Sequence, residues 1–116
     1  MIKVNVHRDH RGNIESFTME GHADSGPHGF DLVCAGASAV SFGSLNAVQA
    51  IAGIELDVWQ APEGGYLRCQ LPMTLHLETQ RKVQILLEGM IVSLQTIEAS
   101  YGEHIQINDQ GGGKDA

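Results

Sequence analysis

The chain has 116 residues, 42% of them hydrophobic, which suits one domain with its own core, burying roughly two-thirds of its unfolded surface. With 7 Lys+Arg against 14 Asp+Glu the formal net charge is −7, which argues against direct nucleic-acid binding, because that binding needs a basic footprint. Its 2 cysteines fit a reducing cytoplasm, and neither a signal peptide nor a run of membrane-span length is read from the sequence.

Ile2, Val4 and Val6 alternate with Lys3, Asn5 and His7, the period of a half-buried strand. Residues 9–13 have turn composition, and residues 14–20 read as a second strand with Glu15, Phe17 and Met19 on one face. His7 and His10 beside the turn read as solvated surface residues. Residues 23–31, with Gly26, Pro27 and Gly29, read as a loop. Residues 35–52 then predict a helix with Val40, Ala47, Val48 and Ile51 at helical spacing. Apolar residues nearly all round it predict a well-covered helix. Gly43 within it should cost about 1 kcal/mol against alanine, so close packing is expected there. Gly53 is the expected stop.

Residues 56–60 and 66–71 read as a second hairpin around Pro62-Glu63-Gly64-Gly65. Leu67, Cys69 and Leu71 share one strand face, so Cys69 reads as a small core residue. The longest periodic run follows. Val83, Leu87, Met90, Leu94, Ile97 and Tyr101 step by four and three, widened by Leu86 and Ile91. This predicts an amphipathic helix from near residue 78 to 101, capped by Gly102, with Met90 as core filling. Residues 104–107 read as a short last strand. Residues 110–116 read as a flexible glycine-rich tail, leaving residues 1–109 as the domain. The order predicts a two-layer α+β fold, with a mostly antiparallel or mixed sheet of four to five strands and two helices packed on one face. Trp59 or the helix surface would be left for a second subunit to cover.

The chemistry concentrates between Gly21 and Asn46. Cys34 falls where the predicted helix begins, so unpaired N–H groups and the positive end of the dipole would favour a thiolate. The same N–H groups would hold an oxyanion in acyl transfer. Ala35 and Gly36 are small enough for a substrate backbone to approach. Ser38, one turn on, would bond the thiolate or the substrate. His22, at the end of the second strand after Gly21, is the candidate base. Asp31 would either orient His22 or cap the helix. Gly26 and Gly29 are either lid hinges or plain loop residues. A buried inert cysteine beside a satisfied histidine remains the structural alternative. A phosphatase loop would need an arginine where Val40 stands. His22, His28 and Cys34 are too few for a zinc site, and no nucleotide-binding glycine motif is present. No cofactor or metal is therefore expected.

The motifs Gly21-His22-Ala23 and Asp31-Leu32-Val33-Cys34-Ala35-Gly36, then Ser38 and Asn46-Ala47, resemble the ribosomal-processing cysteine protease family, Prp. The segment from Leu86 to Leu94 also matches, and the resemblance covers nearly all of the chain except the glycine tail. It implies a cysteine endopeptidase with a Cys34–His22 dyad, supported by Asp31 and Ser38. It further implies a cytoplasmic homodimer whose loop between His22 and Cys34 orders on substrate. The implied substrate is the N-terminal extension of large-subunit ribosomal protein twenty-seven, removed during ribosome maturation. An acidic enzyme suits a basic ribosomal substrate. The alternatives are a non-catalytic ribosome-assembly adaptor with a structural cysteine, and a thioesterase-like acyl-transfer enzyme.

Overall fold

Period-two alternation in the first twenty residues builds the middle of a sheet. The computed structural model describes the backbone of residues 1–21 and 28–110. The elements run β1 (Ile2–Arg8), β2 (Ile14–Glu20), α1 (His28–Ala47) with a π-helical final turn (Val48–Ala52), β3 (Asp57–Gln60), β4 (Tyr66–Gln70), α2 (Leu77–Tyr101) and β5 (Ile105–Gln110). The five strands are ordered β3-β4-β2-β1-β5. All neighbours are antiparallel except β1 and β5, which are parallel. The sheet is therefore mixed, and the fold is the α+β class that the element order predicts.

The core lies between the helices and one sheet face. Ile2, Val4, Val6, Phe17, Leu67, Cys69 and Ile105 come from the strands, and Val33, Ala37, Val48, Val83, Leu87, Met90 and Leu94 from the helices. The other face carries Lys3, Asn5, His7, Ser16, Thr18, Arg68 and Gln106, with Trp59 and Tyr66 as its large rings. Trp59 and Tyr66 meet edge-on at 5.7 Å. That face is polar enough to stand in water, so two layers suffice.

Four expectations are corrected. A β-bulge sets Arg8 opposite Ile14 and His7 opposite Ser16. Glu15 is thereby the extra residue. It turns out to solvent while Ile14 joins Phe17 in the core. Gln84 reaches across to the bulge, its Nε2 donating to the Ile14 carbonyl at 3.0 Å and its Oε1 accepting the Ile14 N–H at 2.8 Å. Secondly, α1 is not covered all round: Leu32, Phe42 and Ile51 are exposed. Ile51 follows Val48 in the wider π turn, which rotates it off the buried stripe. Thirdly, a Cβ at Gly43 would meet nothing, whereas one at Gly36 would sit 3.5 Å from Ile97 Cδ1. The close approach of α1 to α2 is at Gly36. Finally, the stretch Leu32–Ala52 is long and apolar enough to cross a membrane by length and composition, a test that a core helix also passes, and its Val33, Ala37 and Val48 are buried in the core.

The helix stop at Gly53 is as expected, with φ 75°. Gly102 ends α2 with an ordinary right-handed φ of −61°, so its place there does not depend on a left-handed cap. The last strand runs past residue 107 to Gln110, so the expected tail loses its first residue to β5, and residues 111–116 lie outside the described residues.

Candidate active site

One end of the sheet opens into a cleft of about 400 Å³. Its wall is α1, which presents Cys34, Ala37, Ser38 and Phe42 at steps of three, one and four. Its floor is Met19 and Leu67, and its rim is Gly21, Gly64, Gly65 and Tyr66. Helical periodicity alone puts Cys34 and Ser38 on one face, and the sheet beneath makes that face a cleft.

The backbone at the rim is fixed by glycines. Gly64 and Gly65 carry φ of 82° and 81°, the left-handed region that favours glycine. Between them and β2, the Gly21 N–H donates to the Gly65 carbonyl at 2.9 Å. Gly21 itself has φ 114°, and a Cβ there would run into the Met1 carbonyl oxygen. The chain therefore leaves β2 at a point where only glycine fits, immediately before His22.

The two cysteines are in opposite environments. Cys69 is completely buried, and burial pushes its thiol up to about 12, with the Asp57 carboxylate adding to the effect. A neutral buried thiol is unreactive at physiological pH. Cys34 is partly exposed and lines the cleft. The burial of Cys69 is what the strand pattern predicts.

The expectation that Cys34 opens its helix is corrected. The helix begins at His28, so the N–H groups without helical partners belong to the first four residues from there. Cys34 lies in the second turn, inside the hydrogen-bonded ladder, and its own N–H and those of Ala35 and Gly36 are not free oxyanion donors. Residues 28–31, expected as loop, are helix, so Asp31 follows the helix start instead of capping it. Asp31, Cys34 and Ser38 step by three and four along α1. Ala35 and Gly36 do not line the cleft: Ala35 faces solvent, and Gly36 packs toward α2. His22 and residues 23–27 lie outside the described residues. Sequence reasoning missed Phe42, Tyr66 and the Gly64-Gly65 rim, because nothing local to those residues signals that the second hairpin folds beside Gly21.

The model of the cysteine protease Prp family matches residues 1–106. The ribosomal processing cysteine protease Prp of Bacillus subtilis is 47% identical over 109 residues, covering 92% of this chain and 96% of that protein. The S. aureus protease Prp, solved with a substrate peptide, superposes with a TM-score of 0.83 at 37% identity, over 95% of this chain and 100% of the other. The same protease with a covalently linked product peptide gives 0.82 at 39% identity, with the same coverage. With a partly exposed cysteine on a cleft and a family match over nearly its whole length, this chain belongs to the cysteine protease Prp family.

Proposed function

We propose that this cysteine protease is a ribosomal processing endopeptidase that removes the N-terminal extension of large-subunit ribosomal protein twenty-seven, with Cys34 as nucleophile and His22 as its base. The observation that carries the assignment of the nucleophile is the contrast between the thiols: Cys34 lines the cleft while Cys69 is sealed in the core. Relatives named for ribosomal processing support the substrate class.

The thiolate of Cys34 attacks the scissile carbonyl carbon, and His22 holds the proton it has taken from the thiol. The tetrahedral intermediate collapses as the C–N bond breaks, and His22 gives that proton to the leaving amine. Water, deprotonated by His22, then hydrolyses the thioester and regenerates the thiol. Ser38, beside Cys34 on the same cleft wall, supplies a hydroxyl donor to the reacting carbonyl oxygen. Gly21 fixes where the chain carrying His22 leaves the sheet, and Asp31 supports the dyad from one turn before Cys34. The enzyme works in the cytoplasm as a homodimer. Ile85 and Val92, exposed seven residues apart on α2, support a covered helix face.

The test is mass spectrometry of the extended ribosomal protein after incubation with the wild-type chain and with Cys34→Ala. One new N-terminus produced by the wild type alone is expected. No cleavage by folded, reduced wild type would overturn the assignment.

A further inference from the structure

The cleft at Cys34 does not end at Phe42 and Gln60. Those two residues also line a second cavity of about 280 Å³. It runs between the last turns of α1, at Leu45 and Gln49, and the helix-side face of β3, at Val58. Val58 pairs with Cys69 and Gln60 with Leu67, so Val58 and Gln60 share the sheet face that the core uses. Beside α1, at the sheet edge, that face is left uncovered, and all four residues of β3 are exposed. The two cavities form one trough, whose β3 part is lined about equally by apolar side chains (Leu45, Leu56, Val58) and polar ones (Asn46, Gln49, Gln60). Beyond the start of β3 it is lined by Leu56 and Glu55. Among the described lining residues Glu55 is the only carboxylate.

The two sheet edges differ in a way that bears on what occupies the trough. At the β5 edge the Ile107 N–H donates to Glu98 Oε2 at 2.8 Å. An edge blocked by its own helix is protected from pairing with another chain. At the β3 edge no described side chain takes the outward backbone groups, and β3 has a neighbour on one side alone. An open edge beside a partly apolar trough takes an extended peptide, whose alternate side chains face the trough. From Gln60 to Val58 the trough advances two residues, about 7 Å along the strand, and Glu55 lies further on. A peptide held at Cys34 therefore reaches Glu55 with a residue several positions from the scissile bond.

We infer that the Cys34 cleft and the β3 trough form one extended peptide site, and that Glu55 at its far end selects a basic side chain of the substrate. The inference rests on the protease reading, and it adds a specificity-determining residue remote from the reacting bond. A carboxylate at an exposed rim contributes up to ~1 kcal/mol to one ion pair, which is about fivefold in affinity. It acts at one position of the peptide, unlike the long-range pull of the net charge.

The test uses peptides spanning the processing junction, in which a single lysine or glutamate is walked along the sequence. Their binding is measured by fluorescence anisotropy on the full-length Cys34→Ala chain, and their kcat/KM on the chain with Cys34 intact. Each is repeated with Glu55→Lys and with Glu15→Lys, a matched charge change on β2, two strands away from β3. Lysine at one position should bind about fivefold tighter than glutamate. That preference should reverse with Glu55→Lys and persist with Glu15→Lys. A flat scan, or an equal response to both charge changes, overturns the site. Lysine-selective binding without any cleavage by the intact chain would sink the protease reading and leave the trough standing. Cleavage indifferent to Glu55 would do the opposite.

Discussion

At its far end β1 finishes in Arg8, whose side chain is only 2% exposed. Its guanidinium donates from Nε and Nη2 to Asp109 of β5 at 2.8 and 2.9 Å, and from Nη1 and Nη2 to Glu88 of α2. Nη1 also donates to the Gly12 carbonyl at 2.8 Å. One side chain ties the hairpin, the long helix and the last strand together. At its near end β1 begins at Ile2, on the lining of the Cys34 cleft. There the rim is held by backbone contacts among Met1, Gly21 and Gly65, and no described ion pair crosses it. The two ends are about 20 Å apart along the strand. The difference teaches a division of labour. The ion pairs that fix β1 lie at the end away from the Cys34 cleft, and the rim of that cleft is held by backbone contacts.

The largest effect expected is at the near end. Cys34→Ala should lower cleavage by at least about 10³-fold with an unchanged melting temperature. Mass spectrometry of the cleaved substrate and a thermal melt check the two halves separately, and a destabilised Cys34→Ala chain would give this cysteine a structural part as well.

The contrast breaks most directly at Arg8. Arg8→Met removes the two guanidinium hydrogen bonds to Asp109, whose side chain is 14% exposed. Losing one member of a buried pair costs about 3 kcal/mol, which should lower the melting temperature by roughly 10 °C or more. Well below its melting point, where it is fully folded, the variant should keep the wild-type kcat. Glu88→Gln should cost under about 1 kcal/mol, because the Glu88 side chain is 44% exposed. Equal losses from the two variants would mean that Asp109 is not the partner that matters.

Gly21→Ala tests the near end by the opposite route. The new methyl clashes with the Met1 carbonyl and is strained at φ 114°, at a cost of about 2–3 kcal/mol. Because the strand exit must move, kcat should fall as well as stability. A stable variant with normal turnover would show that the rim tolerates displacement.

The last contrast, silent at neutral pH, separates the two thiols by pH. Cys69 titrates near 12 when folded, against about 9 for an ordinary thiol. Its raised value means that the unfolded chain loses this proton first. The contribution is complete below pH 9 and is lost progressively as pH rises from about 9 to 12, by up to 1.4 kcal/mol per pH unit. Cys69→Val should flatten that part of the stability curve, seen by urea unfolding across alkaline pH. Iodoacetamide at neutral pH should label Cys34 and spare Cys69, and Cys69→Ala should retain most activity.

Much of this was legible in single stretches of sequence. The alternation in Ile2, Val4 and Val6 and the four-three stepping from Val83 to Leu94 depend on periodicity, which is local, so β1 and α2 fall where the pattern predicts. The strand face shared by Leu67, Cys69 and Leu71 likewise marks Cys69 as core before any fold is known. The bulge at Glu15 was not legible, because a one-residue slip is decided by what pairs across the strand. Nor was the start of α1: the glycines and proline before Phe30 read as loop, yet the helix reaches back to His28.

The sequence by itself determined the α+β class and which cysteine is core. Its motifs, through their resemblance to a known family, also carried the protease reading. Tertiary structure decided the rest. Only folding brings Gly21, Gly64-Gly65 and Tyr66 around Cys34, because these residues lie in three separate segments joined by pairing of β2 with β4. Only folding leaves the β3 edge open while Glu98 closes the β5 edge. Periodicity fixes which face of an element is apolar, but what lies opposite that face depends on contacts between residues far apart in the chain, and those contacts make the site.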